Sequence, residues 1–459
     1  LEFRRVLFRS QYDTRGVVGK DLTTAGVEVI GRAFAALLAE RGLPPRGVVG
    51  RDNRPSGADL RDALVRGLTS CGVAVADLGV VPTPAMYWAL HHLDVPCGIQ
   101  ITGSHNPPEF NGLKLCVEKA SLHGDGLQRL YELGAAGKFP TGEGAVVKRG
   151  ILDAYVDDLV ARTGQLSRPL KVVVDCSNGA ASLVAARLFK RIGAKATMLF
   201  AESDGTFPNH HPDPTVVENL TDLIATVRAE HADLGIGFDG DADRIGLVDA
   251  HGTIVWGDYL LILYARDVLA RTGPGQPILF DVKCSQALPD AIERAGGTAV
   301  MWKTGHSLIK EKMKALHAPL AGEMSGHMFF TEGFYGHDDA LYAAARLLRI
   351  VADAGKPVHE LLADVPRFVS TPEIRVDCPD ERKFAIVEAA TAYFRARHSV
   401  VDVDGARVLY GDGWGLIRAS NTQPILVLRF EARSDERLAF IRGEFSAWLA
   451  TQGVSFPRQ

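Results

Sequence analysis

Three times along the chain a short apolar run, an Asp and a small polar turn lead into a segment of helical period. The stretches are VVGRDNRPSG (48–57), VVVDCSNGAA (172–181) and ILFDVKCSQA (278–287), with aspartates at Asp52, Asp175 and Asp281. The segments that follow, DLRDALVRGLTSCG, SLVAARLFKRIG and ALPDAIERAGG, place apolar residues at i, i+3 or i+4. Each runs to a glycine, which predicts helix C-caps at Gly72, Gly193 and Gly296. A second strand comes next (VAVADLG, AKATMLF, TAVMWKT), then a second helix (MYWALHHL, LTDLIATVRAEH, SLIKEKMKALH). A third strand then closes into a polar, glycine-bearing loop: CGIQITGSHN, LGIGFDGDAD and PLAGEMSGH. The matching order predicts one β-loop-α-β-loop-α-β-loop unit in three copies.

Strands alternating with helices imply mainly parallel sheets covered on both faces. Right-handed crossovers bring the strand-end loops to one edge, where open α/β sheets bind ligands. From about Val365 the grammar changes to strand (EIRVDC), helix (FAIVEAATAYFRAR), a Gly-rich strand region (ARVLYGDGWGLIRAS), strand (PILVLRFEA) and helix (ERLAFIRGEFSAWLA). The fold expected is therefore α/β: three similar α/β domains with mixed, mainly parallel sheets plus a C-terminal α+β domain, around a central cleft. Boundaries are placed at 1–150, 151–254, 255–366 and 367–459. Length alone, at ~150 residues per domain, suggests three domains for 459 residues, and the pattern raises this to four.

Composition removes several classes. Apolar residues at 46% and charged residues at 23% exclude a disordered chain. A net charge of −4 provides no global basic field for nucleic acid, so any anion site is local. The six cysteines include no C-x-x-C pair, which argues against a zinc site or disulfide framework and for a reducing cytoplasm. The longest apolar run, Tyr259 to Ala265, falls far short of the ~20 residues a membrane helix needs. The first ten residues, LEFRRVLFRS, have neither an initiator Met nor a signal-peptide apolar region, and they back-translate to a sequence resembling a sequencing adapter. They are expected not to be native.

The loops carry the candidate chemistry. In Thr102-Gly103-Ser104-His105-Asn106-Pro107 a hydroxyl stands at the end of a buried strand, with Gly103 expected to give backbone freedom. Ser104 is a candidate nucleophile, outside the G-x-S-x-G pattern of hydrolases; an ordinary turn or cap serine is the plain alternative. Asp239, Asp241 and Asp243 stand at i, i+2 and i+4, and three carboxylates this close repel unless a cation lies among them. Oxygen-only ligands select Mg²⁺ or a similar hard ion. An EF-hand is excluded by Arg244 and Ala250 at positions that need Gly and Glu. The third loop, Gly322 to His327, offers Glu323 and Ser325 to sugar hydroxyls. Between two late strands, Arg418-Ala419-Ser420-Asn421-Thr422 can cradle a phosphate, with an ordinary polar hairpin turn as the equal alternative. His210, His211 and Asp213 are read as no metal site, because adjacent histidines in a Pro-bounded loop point apart. His91 and His92 are read as packing residues.

In this order, TGSHNP, GFDGDADR, GEMSGH and RASNT resemble the serine, metal, sugar and phosphate loops of the α-D-phosphohexomutases, most closely the bacterial phosphomannomutase/phosphoglucomutase type. YDTRG (12–16), DVKCS (281–285) and KTGHS (303–307) extend the resemblance over nearly the whole chain after residue 10. It implies a cytoplasmic enzyme interconverting hexose 1-phosphate and hexose 6-phosphate of mannose and/or glucose. The implied route uses a phosphoserine at Ser104 and a 1,6-bisphosphate intermediate. Implied cofactors are Mg²⁺, on Asp239, Asp241, Asp243 and the phosphoserine, and glucose 1,6-bisphosphate or mannose 1,6-bisphosphate as activator. Glu323 and Ser325 would hold sugar hydroxyls, and Arg418, Ser420, Asn421 and Thr422 the phosphate not being transferred. Tyr12, Arg15, His105, Lys114, Arg244, Lys283, His306 and His327 would line the cleft, with Lys114 and His105 both open as general acid or base. Partners are expected to be small sugar phosphates, with no nucleic acid or membrane, for a monomer. The related phosphoglucosamine mutases typically carry Gln where Met324 stands here. A phosphatase would have no use for a second phosphate anchor, and a non-catalytic binder would be expected to lose Ser104 or an aspartate, all of which are present.

Overall fold

The aspartate at the end of the first strand has the same local task in the first two repeats, while Asp281 of the third instead accepts from Met324 N and Thr304 Oγ1. Asp52 Oδ1 accepts from Arg54 N at 3.0 Å and Asp175 Oδ1 from Ser177 N at 2.8 Å, the side-chain turn that lets a strand leave its sheet. The computed structural model describes residues 14–420 and 424–454; expectations concerning residues 1–10, Tyr12, Asn421 and Thr422 lie outside them.

The first unit holds β1 (Thr14–Val17), β2 (Arg46–Arg51), β3 (Ala74–Val80), β4 (Cys97–Ile101), β5 (Phe110–Val117), β6 (Ala120–Ser121) and β7 (Val146–Lys148). Their sheet runs β1-β5-β4-β2-β3-β7, with β6 paired to β5. The second holds β8 (Lys171–Asp175), β9 (Lys195–Leu199), β10 (Leu234–Phe238), β11 (Ile245–Asp249) and β12 (Ile254–Val255) in the order β12-β11-β10-β8-β9. The third holds β13 (Pro277–Asp281), β14 (Thr298–Trp302), β15 (Leu320–Gly322) and β16 (Met328–Phe330) in the order β14-β13-β15-β16.

Each unit has the same centre: its first repeat strand lies between the second and third, all parallel, and the strand after the third pairs with it antiparallel. The chain therefore reverses its direction of travel across the sheet between the first and third repeat strands. Such a switch point opens a crevice beyond the strand ends. The serine, acidic and GEMSG loops are the same loop in three copies, the connection from the third strand to its antiparallel partner. The sheets are thus mixed, with antiparallel strands at one margin and parallel strands through the centre to the other.

The fourth unit is wholly antiparallel among its described strands: β17 (Val369–Ser370), β18 (Ile374–Asp377), β19 (Ser399–Val401), β20 (Ala406–Leu409), β21 (Gly413–Ala419) and β22 (Ile425–Ala432). Helices Asp380–Arg395 and Asp435–Thr451 pack Ile386, Ala390, Phe394, Ile441, Phe445 and Leu449 onto it. The chain is thus an α/β protein of three similar units followed by an α+β unit.

Two expectations need correction in detail. Gly193 caps its helix directly in the left-handed conformation, at φ +92°. The helices Gly57–Thr69 and Ala287–Arg294 instead end at Ser70 and Ala295, because a tight turn intervenes in which Gly72 N donates to Thr69 O and Gly296 N to Glu293 O. Periodicity also passes over helix Gly257–Thr272, whose central run Tyr259–Ala265 is nearly all buried. A helix apolar all round lacks the polar face on which the periodic signal depends.

Candidate active site

The serine and acidic loops meet across the seam between the first and second units. Ser104 is 1% exposed, and its hydroxyl donates to Asp239 Oδ2 at 3.0 Å and lies 3.1 Å from His105 Nδ1. Its backbone is left-handed, at φ +50°, a strained setting for a residue with a Cβ that surrounding contacts must enforce. Those contacts come from Arg54. Its guanidinium donates to the carbonyls of Ser104 (2.8 Å), Asn106 (2.6 Å), Pro107 (2.6 Å) and Phe110 (3.1 Å), and its Nε to Asp52 Oδ2 (3.1 Å). Gly103 serves this clamp rather than supplying backbone freedom: a Cβ there would stand 2.5 Å from the guanidinium carbon. Gly240 allows the approach from the other side, since a Cβ would lie 2.5 Å from Ser104 O.

Asp239, Asp241 and Asp243 are fully buried, with one carboxylate oxygen of each within 4.8 Å of the others. Asp239 Oδ1 accepts from the backbone of Asp243 and Arg244, both at 3.1 Å, and Asp241 Oδ2 from Thr83 (2.6 Å) and Thr102 (3.1 Å). The Lys114 ammonium donates to Asp243 and lies 3.5 Å from Asp241. Burial together with Asp243 and Asp241 pushes the Asp239 carboxyl well up, while Lys114 and His327 hold Asp243 down against its own burial. Asp241 Oδ1 and Asp243 Oδ1 remain buried without a hydrogen-bond donor. Buried, unsatisfied carboxylate oxygens facing one another fit a small hard cation. Burial, then Arg244 and Arg15, keeps His105 well below the usual histidine range and so neutral.

Arg244 carries the site into the third unit. Its Nε donates to His327 Nε2 at 3.0 Å, and Asp213, Asp239 and Asp243 keep it charged despite burial. Asp338, fully buried, lies 3.2 Å from His327 Nδ1, 3.7 Å from His306 Nδ1 and 3.0 Å from the Lys310 ammonium. Burial would raise its carboxyl, but the Lys310 ammonium, the hydrogen bond from His327 and the neighbouring His306 hold it well below the ordinary range.

A second cluster forms where the third unit meets the fourth. Lys283, 7% exposed, donates to Glu373 Oε2 at 3.2 Å and lies 3.9 Å from Asp281. These acids hold its amine charged despite burial. Glu323 Oε1 accepts from Gly305 N at 2.6 Å. Asp404 Oδ2 accepts from Arg418 Nε at 3.0 Å and from Thr304 N at 3.1 Å. Ser420 is buried at the end of β21, and Ser325 is half-buried in the turn after β15. Arg15 donates to Asn106 at 3.1 Å, tying it to the serine loop.

The expected residues thus gather at two ends: Ser104, His105, Lys114 and the aspartates at one, Lys283, Glu323 and Arg418 at the other, with Arg244 and His327 between. Sequence reasoning passed over Arg54, Asp338, Glu373 and Asp404. The RDNR turn holds a partial signal for Arg54, and the others are single charges in ordinary elements. His210 Nε2 lies 3.0 Å from Asp175 Oδ2, behind the second sheet's first turn. His92 stacks on Trp88 at 4.2 Å and His91 tilts against Tyr335 at 4.8 Å.

Four family models match in succession. They are phosphoglucomutase/phosphomannomutase alpha/beta/alpha domain I at residues 6–137, domain II at 153–252, domain III at 256–368, and the C-terminal domain at 373–447. A phosphomannomutase/phosphoglucomutase of Pseudomonas aeruginosa is 46% identical over 456 residues, covering 98% of this chain and 97% of that protein. A Neisseria gonorrhoeae phosphoglucomutase is 44% identical, over 96% of both chains. The crystal structure of a phosphoglucomutase/phosphomannomutase family protein from Burkholderia thailandensis superposes with a TM-score of 0.90 at 44% identity, covering 98% of this chain and 99% of that one.

Proposed function

The chain belongs to the phosphoglucomutase/phosphomannomutase family, and from that premise we propose how it interconverts hexose 1-phosphates and hexose 6-phosphates, with Ser104 carrying the phosphoryl group. One observation bears most of the weight: the Ser104 hydroxyl is buried 3.0 Å from Asp239, beside two unsatisfied carboxylate oxygens and the Lys114 ammonium. A hydroxyl so placed meets the main need of phosphoryl transfer, which is positioning and charge neutralisation.

Asp239, Asp241 and Asp243 would hold Mg²⁺ with an oxygen of the phosphorylated Ser104, and the bound ion would neutralise charge on the transferred group. Lys114 and Arg244 supply the protein's own positive charge at this end. The bond from phosphorus to Ser104 Oγ breaks as one forms to the free sugar hydroxyl at C1 or C6. The hydroxyl's proton goes to a neighbouring base, for which neutral His105 is placed and Lys114, paired with Asp243, is the less available. The resulting 1,6-bisphosphate turns end for end and returns its other phosphoryl to Ser104.

At the far end Arg418, Ser420, Asn421 and Thr422 would grip the phosphate that stays, with Tyr12, Arg15, Lys283, His306 and His327 lining the path. Glu323 and Ser325 would hold O3 and O4. Glucose and mannose share those hydroxyls, so C2 goes uninspected and both sugars are substrates. Boundaries at 150/151, 254/255 and 366/367 would give each domain one loop of the site. Six free, buried thiols accord with a reducing cytoplasm, and no helix among the described residues is long and apolar enough to cross a membrane.

The test is a coupled assay on mannose 1-phosphate, glucose 1-phosphate and glucosamine 1-phosphate, with a trace of glucose 1,6-bisphosphate. Conversion of the first two to 6-phosphates is expected. Inorganic phosphate as the main product would replace the mutase reading with a phosphatase.

A further inference from the structure

The turn that carries Lys283 takes its backbone N–H partners mainly from its own unit, with Val282 N donating to Trp302 O and Cys284 N to Asp281 O, but its carbonyls are held from outside. Three consecutive carbonyls point at arginines of the fourth unit. Arg407 Nη1 donates to Val282 O and to Cys284 O, each at 2.7 Å, and Arg429 Nη1 donates to Lys283 O. Glu431 Oε1 accepts from Gln286 N at 2.9 Å. From inside the third unit, Asp258 Oδ2 accepts from Ser285 N at 2.9 Å, and that same oxygen lies 3.5 Å from Arg429 Nη1. Arg429 also touches Met324 Sδ, in the loop assigned to the sugar.

Arg407 is fully buried, with its guanidinium carbon 3.8 Å from the ring centre of Trp414, and Trp414 in turn donates to Glu431 at 2.8 Å. The aromatic face fixes the plane of the guanidinium, and its Nη1 amino group, held in that plane, fixes two carbonyls. A lysine ammonium has donors for both carbonyls but no planar group to lie on Trp414, and so would not set the plane of the turn.

We propose that Arg407 and Arg429 are positioning residues for Lys283, so that its amine is aimed into the site only while the fourth unit is docked on the third. The inference rests on the substrate-binding role given to Lys283 above. Arg418 belongs to the same docking event: its partner Asp404 receives Thr304 N of the third unit through the very oxygen that holds the guanidinium. Grip on the retained phosphate and presentation of Lys283 are therefore one step. Loss of docking would loosen both and let the bisphosphate leave before it has turned.

The experiment is a double-mutant cycle between Arg407→Met and Lys283→Met, read as KM and kcat on glucose 1-phosphate and as bisphosphate released per turnover from phosphorylated enzyme. Release per turnover is normalised to active enzyme, so a fall in folded fraction does not move it. Leaving the two carbonyls unsatisfied is expected to raise KM about tenfold or more, with a matching rise in release. In the Lys283→Met background the same change is expected to add about threefold or less, since contacting residues that act through one another are not additive. Arg407→Lys is expected to rescue only part of the loss. Arg429→Met provides the same test should Arg407→Met fail to fold. Lys283→Met impaired while both arginine variants keep wild-type KM and release would overturn the inference alone, as would additivity in the cycle. Wild-type KM in Lys283→Met would instead remove the role of Lys283 itself, and the inference with it.

Discussion

The seams between the first three units and the seam to the fourth are built from different materials. One apolar cluster runs without interruption from Val48 and Trp88 in the first unit through Tyr155, Val172 and Leu188 in the second to Tyr264, Phe280 and Leu341 in the third. Hydrogen bonds from members of the cluster also cross the joins, with Tyr155 donating to Asp339 at 2.7 Å and Trp88 to Asp158 at 2.9 Å. The fourth unit keeps a core of its own. It meets the third through a small cluster of Val282, Trp414 and Leu416, surrounded by arginines, acids and backbone polar groups. A shared apolar core resists separation, because parting the units would expose it to water. A polar seam can exchange its partners for water and is where units move. On the function proposed above, the welded block would house the chemistry and the part that can yield would hold one grip on the substrate, an arrangement suited to a bisphosphate that must be released, turned and gripped again.

The strongest way to break the welded half is to remove the hydroxyl proposed as its nucleophile. Ser104→Ala is expected to lower kcat by about a thousandfold or more, since residues of a catalytic unit are not replaced by what remains. The measurement is turnover of glucose 1-phosphate, with circular dichroism to show that the fold survives. Near-wild-type turnover would place the phosphoryl carrier elsewhere. Next in size is the cation. Stripping divalent metal with a chelator is expected to lower turnover by about a hundredfold or more, with recovery on adding Mg²⁺. Asp241→Asn, which leaves a neutral oxygen at the same place, should bind the ion more weakly and need more of it for half-recovery. Full activity after exhaustive chelation would show that Lys114 and Arg244 suffice.

Arg54 tests whether rigidity at this end is imposed by one side chain. It satisfies four carbonyls of the serine loop and faces Asp52, both groups being 1% exposed. Arg54→Met leaves a buried carboxylate without its cation, which costs about 3–5 kcal/mol of stability. Urea denaturation should show that loss, and whatever folded enzyme remains should turn over slowly because Ser104 can relax from its left-handed backbone. A stability change under about 1 kcal/mol would mean that the loop holds its own shape.

The legible and the hidden parts of the site differ in the same way as the two seams. Ser104 and the three aspartates could be read because loop chemistry is written in adjacent letters: three carboxylates within five residues demand a counter-charge wherever they fold. The repeat could be read because each unit keeps an Asp at the end of the same strand, with Asp52 and Asp175 capping their turns identically. Arg54, Asp338, Arg407 and Arg429 could not. Each is one charged residue in a stretch that reads as ordinary turn or strand, and its meaning lies in a partner 50 to 146 positions away, except Asp338, which meets His327 only through a fold-dependent turn. Helix Gly257–Thr272 was hidden for the opposite reason, being too uniformly apolar to show a period.

The smallest expected effect sharpens the polar seam. Lys283 and Glu373 pair across it at 3.2 Å, and the Lys283 ammonium, working against burial, holds the Glu373 carboxyl down to about 2, against an ordinary value of 4.5. A carboxyl whose value is lowered by docking binds protons more readily when undocked, so its contribution is complete above about pH 4.5 and is lost as pH falls toward 2. Glu373 is only 23% exposed, so water screens the pair in part and leaves the effect measurable. KM for glucose 1-phosphate should therefore rise between pH 5 and about 3.5 in the wild type, and less steeply in Glu373→Gln, which keeps the shape and loses the charge. The substitution leaves the welded block untouched, so the difference between the two profiles isolates the seam. Parallel profiles would show that the seam is held by Arg407 and Arg429 without help from this pair.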